Sequence, residues 1–294
     1  MINKDKIPRE LRSLPTPFLR CLLDDQYDKG QSEFSTTQLI GAPQKTWLGS
    51  QGHEEVRTPT SVFYATLGTI LHRILEDYAK EEEGEIAERR LYATIQGRVV
   101  SGCIDLYETS TRTVSDWKFI GGDQSAIKEE HRKQLLINGR LAELNDWEVE
   151  HLSITYFIRD WKMLQAIINP TAPQIGIKCF VIPYDREEAI KLLNTCVSEH
   201  IAATEGNPRE CSLEEKWQDP PIYAVMKNGG KRAVNGGKCG SMAEAQSLID
   251  KLGSGHHVQT RPATRTMCDY LCAFKAVCPQ YRRESVDFET REEP

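Results

Sequence analysis

The sequence predicts a mixed α/β protein in which helices flank a single sheet. A long stretch with apolar residues at helical spacing begins at residue 58, and three β-rich runs follow it. Further helices and strands then alternate as far as residue 205. The chain has 294 residues, 39% of them hydrophobic, which is enough to bury the core of such a fold.

The N-terminal part of the chain contains a predicted helix near Pro8 to Asp25 and then a polar connection rich in Gly and Thr. The stronger helix after it begins with Thr58 and Pro59 in the N-cap and first-turn positions. Its apolar face is predicted to comprise Phe63, Leu67, Leu71, Leu75 and Tyr78.

The three β-rich runs are predicted to form an antiparallel meander over residues 89–96, 98–108 and 112–120. The core is then completed by a helix (125–144), a strand (150–159), a loop with two prolines, a strand (176–183) and a helix (186–203). Beyond Gly206 the Gly-rich chain is predicted to be irregular. These boundaries define an N-terminal segment (1–57), a core (58–205), a C-terminal region (206–283) and an acidic tail (284–294).

Charge is unevenly distributed along the chain. The net charge is −6, but the segment from Val225 to Arg283 has ten Lys and Arg against three acidic residues, which gives +7 there and −13 elsewhere. No apolar run approaches the roughly 18 residues that a membrane span needs, and the first ten residues lack an apolar secretory core. We therefore expect a cytoplasmic protein with no membrane partner.

Two strands of the predicted meander carry a group of charged residues. Asp105 lies on the second strand, while Asp116 and Lys118 share one face of the third because side chains alternate along a strand. If the two strands pair across their turn, two carboxylates and an ammonium group meet at one end of the sheet. Carboxylate oxygens suit Mg²⁺ or Mn²⁺, and a lysine beside the ion can orient the attacking water. An Asp-x-Lys strand is nevertheless commonly just a solvated face.

Two helices flank this group with weaker signals. His72 and Glu76 lie four residues apart on one face of the helix that begins at residue 58. Gln134 and Asn138 have the same spacing on the helix that follows the lysine strand. A histidine at the margin of an apolar stripe is more often structural than metal-ligating, so neither pair indicates a function alone.

Taken in order, these elements resemble the RecB-like branch of the PD-(D/E)XK nuclease superfamily. The family pattern has a Gly-x-x-x-His-x-x-Leu-Glu helix, a Gly-x-x-Asp strand, a carboxylate-x-Lys strand and a Gln-x-x-x-Tyr helix. The matching residues in this chain are Gly68, His72, Leu75, Glu76, Gly102, Asp105, Asp116, Lys118 and Gln134. Asn138 stands at the position of the family's tyrosine, which puts the DNA-contact role of that helix in doubt.

The resemblance implies a restriction-endonuclease-like fold and a role for each matching residue. His72, Asp105, Asp116 and the Trp117 main-chain carbonyl would bind Mg²⁺ or Mn²⁺. Lys118 would position or activate the attacking water, and Gln134 would help to orient DNA or the site. Asp105, Asp116, Lys118 and Gln134 are thus the expected catalytic residues.

Three of the nine cysteines, Cys268, Cys272 and Cys278, lie within eleven residues of the C-terminal region. Clustered thiols in a reducing compartment suggest a soft metal, and the spacing suits zinc less well than an iron–sulfur cluster. AddB-type nucleases, and related exonucleases of phages and of CRISPR adaptation, similarly have one cysteine before the core and three after it. That resemblance implies a [4Fe–4S] cluster with Cys21 as the fourth ligand, joining the two ends of the chain. The remaining cysteines lack such spacing, and Cys103 and Cys179 are expected to be core residues.

The sequence thus favours a metal-dependent DNA exonuclease that acts on single strands in recombination, repair or replication. If a phage encodes it, the host cytoplasm is its compartment. Unwinding would need a helicase or recombination partner, because no helicase motif is present. The alternative is an inactive DNA-binding accessory subunit that uses the same fold as a scaffold. Phosphate-binding candidates in the basic C-terminal region are Lys227, Lys231, Arg232, Arg261 and Arg265.

Overall fold

The computed structural model describes residues 13, 15–17, 19, 30–53, 59–122 and 124–289. The predicted helix near Pro8 to Asp25 falls mostly outside these residues. The chain divides into two compact units, one formed by residues 1–52 and 56–209 and the other by residues 53–55 and 210–294. Each unit is described separately.

The first unit is built around a six-stranded mixed sheet. Its strands are β1 (Phe34–Ser35), β2 (Glu85–Ile95), β3 (Arg98–Glu108), β4 (Thr113–Ile120), β5 (His151–Ile158) and β6 (Ile177–Pro183). The predicted meander is confirmed, since β2 pairs antiparallel with β3 and β3 pairs antiparallel with β4. Strand β4 then pairs parallel with β5, and β5 pairs antiparallel with β6.

Helices flank this sheet. They are α1 (Thr36–Leu39), α2 (Pro43–Ser50), α3 (Pro59–Tyr78), α4 (Glu129–Glu143), α5 (Met163–Ile168) and α6 (Arg186–Thr204), with a 3₁₀ turn at Glu81–Glu83. Helix α4 packs its apolar residues, including the fully buried Leu135 and Leu141, into the core beneath β3, β4 and β5. Helix α3 contacts β2 and β4, so it lies beside the strands that carry the predicted site.

Some predictions for this unit are wrong. Helix α5 occupies part of a segment predicted as loop. Phe63 and Tyr78 were expected on the apolar face of α3, but they are 50% and 79% exposed. Cys179 is exposed rather than part of the core, because it lies on the edge strand β6, whose side chains are covered on one face only.

The second unit is not irregular, which corrects the prediction for the chain beyond Gly206. Strands β8 (Ile222–Lys227), β9 (Ala233–Cys239) and β10 (His256–Arg261) form a three-stranded sheet. Helix α7 (Met242–Leu252) contacts all three strands. The short strands β7 (Gln218–Asp219) and β11 (Thr264–Arg265) pair with each other, a π-helical turn spans Met267–Leu271, and α8 (Pro279–Glu289) follows. The sequence hides these strands because glycines and polar residues replace the expected alternation.

Strand β3 is paired unevenly along the edge that it presents to β1 and β4. Strand β1 pairs with Val100 and Ser101, and β4 pairs only with Leu106, Tyr107 and Glu108. The stretch from Gly102 to Asp105 therefore has no ladder partner on this edge, and α4 approaches it closely. A Cβ atom at Gly102 would lie 2.6 Å from the Asn138 Oδ1 atom, 2.6 Å from the Thr36 Oγ1 atom and 2.7 Å from the Leu141 Cδ1 atom.

This close approach predicts that Gly102→Ala lowers the free energy of unfolding by about 1–3 kcal/mol, the usual cost of overpacking. Gly68→Ala is the matched control, because a Cβ atom there meets nothing within 4 Å. Gly68 lies inside α3, so its replacement is expected to stabilise the helix by about 0.5–1 kcal/mol. Urea unfolding of both variants measures the difference. Equal midpoints for wild type and Gly102→Ala would contradict the prediction.

Candidate active site

The candidate active site lies where β3 and β4 separate. After the Leu106 and Ser115 pair the ladder stops, and the Asp105 side chain replaces it by accepting a hydrogen bond from the Trp117 backbone N–H at 2.7 Å. The N–H and C=O of one residue in an extended strand face the same edge, so the Trp117 carbonyl also faces β3. This arrangement brings the predicted carboxylates of the two strands together.

Asp105 is held in a position where ionisation is costly. The residue is 4% exposed, and burial followed by the nearby charge of Asp116 raises the pKa of its carboxyl group well above the ordinary value of 3.8. The charges of Lys118 and His72 and the Trp117 hydrogen bond act in the opposite direction without cancelling the effect. A cation placed beside Asp105 would therefore be stabilised by an otherwise poorly compensated carboxylate.

The Asp116 carboxylate contacts two other residues of the predicted site. Its Oδ2 atom lies 2.6 Å from the Lys118 Nζ atom, and its Oδ1 atom accepts a hydrogen bond from the Gln134 Nε2 atom at 2.9 Å. Burial alone would lower the pKa of Lys118, but the charges of Asp116 and Asp105 and the Asp116 hydrogen bond raise it. Lys118 is therefore a protonated donor fixed against Asp116, and Gln134 from α4 fixes the other carboxylate oxygen.

His72 and Asp105 form a compact group with a third residue, Glu88 on β2. One ligand atom from each lies within 4.8 Å of the others, a spacing that no other three His, Cys, Asp or Glu residues in the described part of the chain achieve. The His72 Nδ1 atom lies 2.8 Å from the Glu88 Oε1 atom and 3.7 Å from the Asp105 Oδ1 atom. Burial would lower the pKa of His72, yet the Glu88 hydrogen bond and the charges of Asp105 and Glu88 raise it.

The local backbone explains how Glu88 reaches this group. The pairing of β2 and β3 skips Glu88 and Asp105, which face each other across the interruption. Glu88 has a φ of +47°, a left-handed conformation that costs a non-glycine residue roughly 1–2 kcal/mol. Its carboxylate also accepts a weak hydrogen bond from the Cys103 thiol at 3.5 Å. Glu88 is not predicted from the sequence, because no short motif marks the position opposite Asp105.

The group fits a hard divalent cation. One imidazole nitrogen and two carboxylate oxygens form a donor set suited to Mg²⁺ or Mn²⁺, and the Trp117 carbonyl faces the same edge. Asp116, predicted as a ligand, lies outside the compact group, and its carboxylate contacts Lys118 and Gln134. Glu76 lies outside it too, and its nearest ionic contact is with the exposed Arg73.

Other residues near the site support it from within the core. Asn138 is 2% exposed and donates from its Nδ2 atom to the Cys103 carbonyl at 3.3 Å, so it anchors α4 to β3 and does not face a substrate. His131 and Tyr156 form a buried hydrogen bond of 2.9 Å. Burial, then the charges of Lys118 and Lys128, lowers the pKa of His131 to about 3. This imidazole is therefore neutral and adds no positive charge near the site.

The basic candidates of the second unit differ in exposure. Lys227, Lys231 and Arg232 are exposed at the ends of β8 and β9, and Arg261 is half-buried on β10. Arg265 was predicted as a phosphate contact, and that prediction is wrong. Its residue is 5% exposed, and its guanidinium contacts the carboxylates of Asp269 and Glu284 within the fold.

The structure describes three of the four cysteines that the sequence assigns to a cluster. Cys278 is buried and Cys268 and Cys272 are half-buried, all within the second unit. Cys21 lies outside the described residues.

Three solved structures are similar to the chain at low identity. One, described as SSO0001, is 20% identical with a TM-score of 0.45, covering 64% of this chain and 87% of that chain. A phage-related exonuclease from Haemophilus somnus 129PT is 15% identical, with a TM-score of 0.35 and coverage of 58% and 81%. LHK-Exo in complex with dAMP is 14% identical, with a TM-score of 0.37 and coverage of 59% and 90%.

No family model and no curated protein matches the chain. Among the described residues, no helix is both long and apolar enough to cross a membrane. The functional inference for this chain therefore rests on its own residues.

Proposed function

We propose that the protein is a PD-(D/E)XK phosphodiesterase, a Mg²⁺- or Mn²⁺-dependent exonuclease that acts on single-stranded DNA. The observation that carries this proposal is the meeting of two sets of side chains where β3 and β4 separate. His72, Glu88 and Asp105 form a compact donor set, and the Asp116 and Lys118 ion pair lies next to it. A cation site and an adjacent ammonium group can together neutralise the phosphate charge that develops during hydrolysis of a phosphodiester.

Each side chain has a distinct task in this proposal. His72, Asp105, Glu88 and the Trp117 carbonyl would hold the cation, and Asp116 would keep Lys118 beside it. When bound, the cation neutralises phosphate charge and makes water a better nucleophile. Gln134 orients Asp116 through its hydrogen bond, so α4 fixes the site against the sheet.

Lys118 acts as a donor rather than as a base. Its raised pKa keeps the Nζ atom protonated at neutral pH, and its contact with Asp116 fixes that atom 2.6 Å from the carboxylate. An ammonium group held in this way can orient the attacking water and stabilise the negative charge that develops on the phosphate oxygens. Proton removal from water is then left to solvent or to the substrate's own phosphate.

We further propose that Cys268, Cys272 and Cys278 bind an iron–sulfur cluster, for which Cys21 is the fourth ligand suggested by the sequence. The cluster would be structural, because hydrolysis needs no electron transfer. DNA is the proposed partner of the whole protein. A helicase or recombination partner would supply single strands.

The function is tested with end-labelled single- and double-stranded DNA, each blocked at one end, incubated with Mn²⁺ or Mg²⁺. We expect short products from the free end of single strands, no products from the blocked end and no activity with EDTA. Asp105→Ala is the inactive control. DNA binding without hydrolysis in either metal would refute the enzyme and support the accessory subunit. Full activity of Asp105→Ala would refute the assigned site.

The exposed basic residues give a separate prediction about DNA binding. Each phosphate contact on single strands contributes about −0.7 to the slope of log affinity against log salt, so Lys231→Ala with Arg232→Ala should reduce the slope by about 1.4. Arg265→Ala should leave the slope unchanged but lower the free energy of unfolding by about 2–4 kcal/mol, because it removes the cation that contacts Asp269 and one of the two that contact Glu284. Fluorescence anisotropy at several salt concentrations and urea unfolding measure these effects. An unchanged slope in the double variant would contradict the contact.

A further inference from the structure

The second unit contains a fourth cysteine, Cys211, close to the three C-terminal ones. Its sequence position gives no hint of this, since it precedes Cys268 by more than fifty residues and belongs to no short motif. Two hydrogen bonds fix its backbone: the Gln280 Oε1 atom accepts from the Cys211 N–H at 2.8 Å, and the Gln280 Nε2 atom donates to the Cys211 carbonyl at 3.1 Å. Gln280 is 4% exposed and lies two residues after Cys278, at the start of α8.

The chain that follows Cys211 runs alongside the segment that leads into Cys268 and Cys272. The Met267 N–H donates to the Lys216 carbonyl at 3.1 Å, immediately before Cys268. Strand β7 then pairs with β11, which precedes the π-helical turn. The segment from Cys211 to Asp219 is thus bonded at one end to α8 and at the other to the start of the cysteine-bearing turn. All four cysteines belong to this one unit.

The electrostatics agree with this proximity. Burial is the first cause that raises the pKa of Cys211 to about 12, and the charges of Glu215, Cys268, Cys278 and Cys272 add to it. Burial, then the charges of Cys272, Cys278 and Glu284, raise the pKa of Cys268 to about 11 against the charge of Arg265. Ionising four neighbouring buried thiols costs free energy, because the thiolates repel one another. A soft metal centre that binds all four thiolates removes that repulsion.

Four thiolates suit either a single zinc ion or a [4Fe–4S] cluster. A zinc ion binds all four at once, whereas in a [4Fe–4S] cluster each thiolate binds a different iron atom. Iron, acid-labile sulfide and zinc measured on the purified protein distinguish the two.

One buried cation acts on these thiols. Arg265 lowers the pKa of Cys268 by its charge, and its side chain is 6% exposed. Arg265 also contacts the Asp269 and Glu284 carboxylates, so it would offset only part of the negative charge that a cluster brings into the fold.

We propose that Cys211, and not Cys21, is the fourth ligand of an iron–sulfur cluster shared with Cys268, Cys272 and Cys278. The cluster then lies wholly within the second unit, closing the loop from Cys211 to Cys278 that contains the three-stranded sheet. This inference rests on the proposed cluster and is independent of the nuclease activity.

The test compares single serine variants of the anaerobically purified full chain, with iron, acid-labile sulfide and zinc measured per protein. Wild type, Cys21→Ser and Cys179→Ser should each hold about four iron and four sulfide. Cys211→Ser and Cys272→Ser should lose most of both. Asp105→Ala should keep its full complement, so loss of activity and loss of the cluster are separable. Full iron in Cys211→Ser together with loss in Cys21→Ser would overturn the assignment, as would stoichiometric zinc without sulfide in wild type.

Thiol mapping of the wild-type protein avoids variants that fail to fold. Alkylation followed by mass spectrometry should find Cys211, Cys268, Cys272 and Cys278 protected in the purified protein, and the exposed Cys179 modified. Removal of iron by a chelator under oxidising conditions should expose all four. Rapid modification of Cys211 while the other three stay protected would overturn the proposal.

Discussion

Asp105→Asn is expected to abolish DNA hydrolysis and, in the absence of metal, to make the protein more stable at pH 8. Asparagine has the same shape and still offers one oxygen to the Trp117 N–H, so the strand geometry is kept. What changes is the charge available to a cation. We expect activity with Mn²⁺ to fall on the order of 10³-fold, because the cation loses an anionic ligand at the centre of the site.

The stability part follows from the sign of the pKa shift. Folding raises the pKa of the Asp105 carboxyl group, chiefly through burial and then through Asp116, so the folded state binds this proton more tightly than the unfolded state does. The free energy of unfolding therefore decreases as the pH rises above 3.8, until the group is ionised in both states. At pH 8 the wild type bears the full cost of the buried charge, and the variant does not. We expect a gain of about 1–3 kcal/mol.

Two measurements test this prediction. Urea unfolding at pH 5 and pH 8 with EDTA should give a gain for Asp105→Asn that is larger at pH 8. Added Mn²⁺ should raise the melting temperature of wild type but not of the variant, since only a folded site that binds the ion is stabilised by it. Asp77→Asn, on the exposed surface of α3, is the control and should change stability by less than about 0.5 kcal/mol. A variant less stable than wild type at pH 8 would contradict the argument.

Much of the first unit could be predicted from the sequence. The meander of β2, β3 and β4 was predictable because three β-rich runs are joined by short turns, and Pro59 marked the start of α3. Strand alternation explains why Asp116 and Lys118 could be expected on one face, whereas Gln134 was added to them only by the resemblance to the nuclease family. These are local relations between residues close in the chain.

What the sequence could not supply are contacts that depend on the tertiary structure. The burial of Asn138 depends on how closely α4 approaches Gly102. The ion pair between Arg265 and Glu284 depends on the position of α8, which lies further along the chain. The Gln280 hydrogen bonds and the pairing of β7 with β11 hold the chain at Cys211 to the segments that carry the C-terminal cysteines. The basic character of Arg265 suggested DNA, but its burial makes it structural.

Glu88 is the clearest example of a residue whose contacts depend on the tertiary structure, and Glu88→Gln is the second variant for which we expect a large effect. The sequence motif selects Glu76, whereas the fold places Glu88 against His72 and opposite Asp105. Glutamine keeps the size and the hydrogen-bonding capacity of Glu88 but removes its charge. We expect the affinity for Mn²⁺ to fall about 10- to 100-fold, with a corresponding loss of nuclease activity at limiting metal.

Glu76→Gln is the matched control, since it makes the same chemical change on a residue whose carboxylate pairs with the exposed Arg73. It should leave metal affinity within about threefold of wild type, the scale of an exposed ion pair. Calorimetric titration of Mn²⁺ separates binding from catalysis. Excess Mn²⁺ should restore much of the activity of Glu88→Gln, because Lys118, Asp116 and Asp105 are unchanged. If Glu76→Gln weakened binding more than Glu88→Gln did, the third ligand would belong to α3, and the strained backbone at Glu88 would have no part in holding the cation.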